Sequence, residues 1–141
     1  VFIQGEYDKD IFNANLIWQE SIGTVQNQTT RVLNRWTGEG TSTNVPRAVF
    51  GDPNKNGRPS DRFIEDGSYV RLKNVTLGYT LPAALAERVA LKRARLYVSG
   101  QNLYTFTNYT GNDPELGYAT GIDLSVYPQA RTISIGANLT F

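Results

Sequence analysis

The chain has 141 residues, 14 Lys+Arg against 13 Asp+Glu, and no His, Cys or Met. These absences exclude His- or Cys-ligated zinc centres, Ser-His-Asp triads, cysteine nucleophiles, disulfide scaffolds and haem ligation by His or Met. A net charge of +1 with only 19% charged residues supplies no field suited to nucleic acid. The longest unbroken apolar run spans only Ala83 to Ala86, far short of the roughly 20 residues a membrane helix requires. Strands that cross a membrane as a barrel need only about 10 residues of alternating character, so a β-barrel passes this test. Lacking Met and starting at Val1, the sequence reads as part of a longer protein.

Residues 6–67 are polar and turn-rich, with punctuation at Gly38-Glu39-Gly40, Val45-Pro46, Asp52-Pro53, Asn56-Gly57 and Arg58-Pro59. No period-2 pattern is sustained there. The stretch is expected to be a long loop with one helical segment near Ile11 to Ile22, and loops this long are usually functional.

From Val75 onward the pattern changes. Val75, Leu77, Tyr79 and Leu81 alternate with Asn74, Thr76, Gly78 and Thr80, the strand period. The pattern returns at Ala94, Leu96, Val98 and, beyond Gly100 and Asn102, Tyr104 and Phe106, against Arg95, Tyr97, Ser99 and Gln101. A third copy places Ile133, Ile135, Ala137, Leu139 and Phe141 against Thr132, Ser134, Gly136, Asn138 and Thr140. Strands this long can cross a bilayer at a tilt, but alternation alone also fits a soluble sheet with one packed face.

Two features favour the membrane. The connections alternate between the short 82–92 and the long 107–129 and 6–67, as in barrels with short inner turns and long outer loops. Aromatics lie near strand ends: Tyr69, Tyr104 and Phe106 toward the long loops, Tyr79 and Phe141 toward the other side. Arg71 and Lys73 continue the phase of Val75 and Leu77, so they are expected to lie beyond the apolar band or to be bent away from it.

The run from Ser60 to Tyr79 with Leu81-Pro82, together with Val98-Ser99-Gly100-Gln101-Asn102-Leu103, Asp113-Pro114-Glu115, Tyr127-Pro128-Gln129-Ala130-Arg131-Thr132 and the closing Asn138-Leu139-Thr140-Phe141, resembles the C-terminal region of the SusC/RagA branch of TonB-dependent outer-membrane transporters. Upstream, Asn34-Arg35-Trp36 and Pro46-Arg47-Ala48 fit the same resemblance. The resemblance implies an all-β fold, the last antiparallel strands of a 22-stranded transmembrane barrel with a plugged lumen. Residues 1–5 would end one strand, 68–81, 93–106 and 130–141 would span the membrane, 82–92 would turn in the periplasm, and 6–67 and 107–129 would be extracellular loops. It also implies a nutrient importer of the Gram-negative outer membrane for oligosaccharide or peptide, working with a SusD-like surface lipoprotein. The TonB complex would be engaged through an N-terminal part not in these residues.

On this reading Asn74, Arg95, Tyr97, Ser99, Gln101, Thr132 and Asn138, opposite the apolar stripe that meets lipid, would face the lumen. The loop aromatics Trp18, Trp36, Tyr109 and Tyr118 are candidates for contact with ligand or partner, although loop aromatics commonly pack their own loop. Phe141, in phase with Leu139 and Ile135, is similar to the terminal strand signal read during barrel assembly. Asp52-Pro53-Asn54-Lys55-Asn56-Gly57 copies the opening of a calcium loop, but Phe63 stands at its twelfth position, which favours a plain Asn-Gly turn. No cofactor is expected. The alternatives are a soluble β-rich binding domain and an enzyme, the latter resting only on scattered carboxylates such as Asp61, Asp113, Glu115 and Asp123.

Overall fold

The computed structural model describes residues 1–21, 26–115 and 121–141. In chain order its regular elements are β1 (Phe2–Glu6), β2 (Asp10–Asn13), α1 (Asn15–Gln19), β3 (Ile64–Asp66), β4 (Tyr69–Thr80), α2 (Ala83–Glu87), β5 (Arg93–Thr107), β6 (Ile122–Asp123) and β7 (Thr132–Thr140), with 3-10 turns at Thr30–Asn34 and Asp61–Phe63. They divide into two units: residues 1–7, 69–107 and 129–141, and residues 8–68 and 108–128. Among the described residues no helix is long and apolar enough to cross a membrane.

The first unit is a four-stranded antiparallel sheet in the order β1-β4-β5-β7. Residues paired across antiparallel strands share a face. The register joins Tyr79 to Leu96 and Leu96 to Ala137, Leu77 to Val98 and Val98 to Ile135, and Gly100 to Ile133, so the three alternating patterns merge into one apolar face. Among the described residues nothing covers its middle: Leu77 is 72% exposed, Ile133 69% and Ile135 83%. A soluble sheet would bury such a face against a second layer.

The alternation is broken at one place. Between Leu72 and Asn74 the β4–β5 register shifts by a residue, and β1 shifts against β4 at the same level, between Phe2 and Ile3. Asn102 lies there with a positive φ of 50°, the local geometry of a bulge. Beyond the shift Arg71 pairs with Gln4 and Thr105. Its Nε donates to Thr105 Oγ1 at 2.7 Å and its guanidinium lies 5.7 Å from the Tyr69 ring centre, leaving Arg71 4% exposed. The shift separates Arg71 from the rows that carry Val75 and Leu77.

The second unit departs most from expectation. Residues 6–67, expected as a loop with a helix over Ile11 to Ile22, instead contribute β2, a shorter helix over Asn15–Gln19, the two 3-10 turns and β3. Ile22 lies outside the described residues. β2 is the centre of a small sheet, antiparallel to β3 and parallel to β6, which comes from the 107–129 stretch. Ile11 and Phe63 are fully buried here, with Leu16 and Val32 nearly so, and Phe12 meets Phe63 edge-on at 6.2 Å. Gly67 is required: a Cβ there would lie 2.5 Å from the Ile11 side chain. Burying each of the large side chains contributes about 1.5–3 kcal/mol, which gives this turn-rich sequence a core of its own.

Candidate functional site

The face of the sheet opposite the apolar one is polar and ordered in rows. Asn74 pairs with Gln101 and Gln101 with Thr132; Thr76 with Ser99 and Ser99 with Ser134; Thr80 with Arg95 and Arg95 with Asn138. Tyr97, between Gly78 and Gly136, completes the set, so all seven residues expected on the polar side share one face. The two glycines make room for their large neighbours. A Cβ on Gly136 would fall 2.4 Å from the Tyr97 ring, and one on Gly78 2.8 Å from the Arg95 guanidinium. These side chains therefore lie along the sheet in the manner of an aromatic covering a strand glycine. The surface offers amide, hydroxyl and phenol groups suited to hydrogen-bonding water and polar solutes.

The loop aromatics have separate fates. Trp18 is 65% exposed. Trp36 is half-buried, and Arg47 lies 5.8 Å from its ring centre. Tyr109, expected as a loop aromatic open to ligand, is buried, and its hydroxyl donates to Asp123 Oδ2 at 2.6 Å. Burial and the neighbouring Asp123 carboxylate push its phenol far above the ordinary value of 10.0, so it stays protonated and holds the second unit together. Tyr118 lies outside the described residues. Phe141 is 79% exposed just past the end of β7.

Two of the carboxylates that an enzyme reading would use, Asp123 and Asp113, accept backbone amides. Asp123 accepts the Ser125 amide as well as the Tyr109 hydroxyl, and Asp113 accepts the Glu115 amide. Asp52, at the calcium-like turn, accepts the amides of Asn56 and Gly57 on its two oxygens, each at 2.8 Å, which makes it a turn cap. Among the described residues no group of three or more acidic side chains could hold a metal ion.

An ionic network in the second unit had no sequence signal, because its members are distant along the chain. Glu20, with its side chain 1% exposed, is held by Arg31 Nε at 2.9 Å and by Arg62. Arg31 also reaches Glu65 at 3.1 Å, and Glu65 accepts from Asn13 Nδ2 and from the hydroxyl of Thr110. Burial raises the Glu65 pKa, but bonds from Thr110, Asn13 and Arg31 outweigh it and hold the carboxyl below its ordinary 4.5. A carboxylate with a lowered folded-state pKa stabilises above its unfolded value and loses that contribution as pH falls through the folded one. Protease resistance of residues 8–68 is therefore expected to hold above pH 4.5 and to fall below it. A Glu65→Gln variant is expected to lose this acid-dependent step, as limited proteolysis across the pH range will show.

No protein-family model matches the sequence. The TonB-dependent receptor P3 of Formosa agariphila is 38% identical over 153 residues that cover 92% of this chain. The chain belongs to the TonB-dependent receptors. SusC of Bacteroides thetaiotaomicron, also a TonB-dependent receptor, is 33% identical over 71% of the chain. Among solved structures, the RagAB peptide importer in its closed-closed state matches 99% of the chain with a TM-score of 0.80 and 30% identity, and its open-open state matches with a TM-score of 0.81. The chain spans 15% of the P3 receptor's length, 10% of SusC and 15% of the matched RagAB chain. The fold is accordingly that of a TonB-dependent receptor's transmembrane barrel: antiparallel strands with long loops, apolar on one face and polar on the other.

Proposed function

We propose that this chain is the C-terminal wall-and-loop segment of a TonB-dependent importer of the SusC/RagA type in the outer membrane of a Gram-negative bacterium. The observation that carries the reading is the uncovered apolar face of β4, β5 and β7, backed by rows of Asn, Gln, Ser, Thr, Tyr and Arg. The apolar face meets lipid, and the polar face, with Asn74, Arg95, Tyr97, Ser99, Gln101, Thr132 and Asn138, lines the lumen. Residues 68–81, 93–106 and 130–141 cross the membrane, 82–92 turn in the periplasm, and 6–67 and 107–129 stand outside the cell. Phe141 ends the strand that assembly recognises, and closing the barrel removes the sheet edge that would otherwise pair with other chains.

The segment contributes wall, lumen surface and outer loops, and no bond-making chemistry. The whole transporter would capture an oligosaccharide or a peptide beneath a SusD-like surface lipoprotein and admit it when TonB pulls on the plug. Of the loop aromatics, Trp18 and Trp36 are the ones assigned to ligand or partner contact on this reading, supported by the exposure of Trp18. Uptake of labelled peptide and oligosaccharide pools, compared in cells with and without the full-length transporter and with and without TonB, tests this. Uptake of one pool that requires both proteins is expected; passage independent of TonB would contradict the reading.

A further inference from the structure

The second unit is built from two stretches, 8–68 and 108–128, that belong to different strand connections. Their bonds to one another are as regular as those inside a single domain. Phe12 pairs with Ile122 and Asn13 with Asp123 in a parallel ladder. The Phe12 amide donates to the Gly121 carbonyl at 2.8 Å, and the Ala14 amide reaches the Asp123 carbonyl at 3.1 Å. Lys9 Nζ donates to the Pro114 carbonyl at 2.8 Å, and the Thr110 hydroxyl donates to the Glu65 carboxylate. The Ser125 hydroxyl also bonds Asn15 Oδ1.

Main-chain pairing between buried residues and a few polar side chains carry this junction. Asn13 is 2% and Asp123 3% exposed, and Glu65 is bonded at once to Arg31 and Asn13 of the first stretch and to Thr110 of the second. Parting the stretches would strip the parallel ladder from β2, leaving the Phe12 and Ala14 amides without the Gly121 and Asp123 carbonyls, and would take Thr110 from Glu65. Elements joined in this way open as one cooperative unit, not piecewise.

We propose that the two connections form a single cooperative body, so that 8–68 and 108–128 open and close together. A perturbation in either stretch then appears in the other. The inference goes beyond the transport reading and does not require it.

Hydrogen exchange on the full-length transporter in nanodiscs tests it. Tyr109→Phe removes the hydroxyl bond to Asp123 within the second stretch. It is expected to speed exchange of the Phe12 and Ala14 amides in the first by about tenfold, alongside similar acceleration at residues 121–123. Thr110→Val, which deletes only the hydroxyl bond to Glu65, is the milder second variant and is expected to act in the same direction. Acceleration confined to 108–128 in both variants would overturn the proposal. A cysteine pair at Asn15→Cys and Ser125→Cys gives an independent reading, because a disulfide between stretches that open only together should slow exchange at Phe12, Ala14 and residues 121–123 alike, reversibly on reduction. Slowing confined to one stretch would equally overturn it. Both readouts are indifferent to what is transported, so the proposal and the transport reading fail separately.

Discussion

Ile135→Arg in the full-length protein is expected to lower barrel stability by about 2–4 kcal/mol, the cost of a cationic side chain on the lipid face near mid-bilayer. Ile135 is 83% exposed and pairs with Val98, whose other neighbour is Leu77, so an arginine there has only apolar surface around it. The neighbouring Ser134→Arg falls on the row of Thr76 and Ser99, where water can solvate the charge. It should stay within about 1 kcal/mol of the parent, as surface substitutions usually do. Urea unfolding followed by heat-modifiable gel mobility separates the two. Equal loss for both variants would mean that the two faces had been assigned to the wrong environments.

The second large effect is expected at Glu20. Its carboxylate is almost wholly buried between Arg31 and Arg62, whose side chains are 38% and 16% exposed, and Arg62 also stacks 4.3 Å from the Phe63 ring centre. Glu20→Ala leaves two guanidinium groups facing each other across a vacated site. Removing one partner of a fully buried pair costs about 3–5 kcal/mol, and the partial exposure of both arginines reduces this to roughly 2–3 kcal/mol. The damage should be confined to the second unit. Residues 8–68 become protease-sensitive while the gel mobility of the folded barrel is unchanged, and Glu20→Gln, which keeps one acceptor, falls between. An unchanged proteolysis pattern in Glu20→Ala would show that the network contributes little.

The long strands were legible in the sequence for a simple reason. β4, β5 and β7 run for 12, 15 and 9 residues, long enough for a period of two to stand clear of chance, and the residues on each side of the stripe could be assigned to faces before any register was known. The register shift opposite Asn102 was not legible. A strand that slips by one residue against its neighbour leaves no mark in its own alternation, so Arg71 read as a charge in the apolar phase until its pairing with Gln4 and Thr105 was seen.

The second unit was illegible for a different reason. β2, β3 and β6 have 4, 3 and 2 residues, too few to show a period, and each exists because a partner far along the chain completes its ladder. Tyr109 illustrates the consequence. In the sequence it is one of several loop aromatics that could meet ligand, whereas in the fold it is buried with its hydroxyl on the Asp123 carboxylate. Glu20, Arg31, Arg62 and Glu65 are four ordinary surface-type charges until the fold brings them together.

The most direct test of the central claim, that β4, β5 and β7 are barrel wall with lipid on one side and water on the other, is the accessibility of adjacent positions in β7. The chain contains no cysteine, so single replacements Ile135→Cys and Ser134→Cys can be labelled in intact membranes with a lipid-soluble and a water-soluble thiol probe. The account predicts that position 135 reacts from lipid and position 134 from water. Protection of position 135 from both probes, in a protein that stays soluble without detergent, would contradict it.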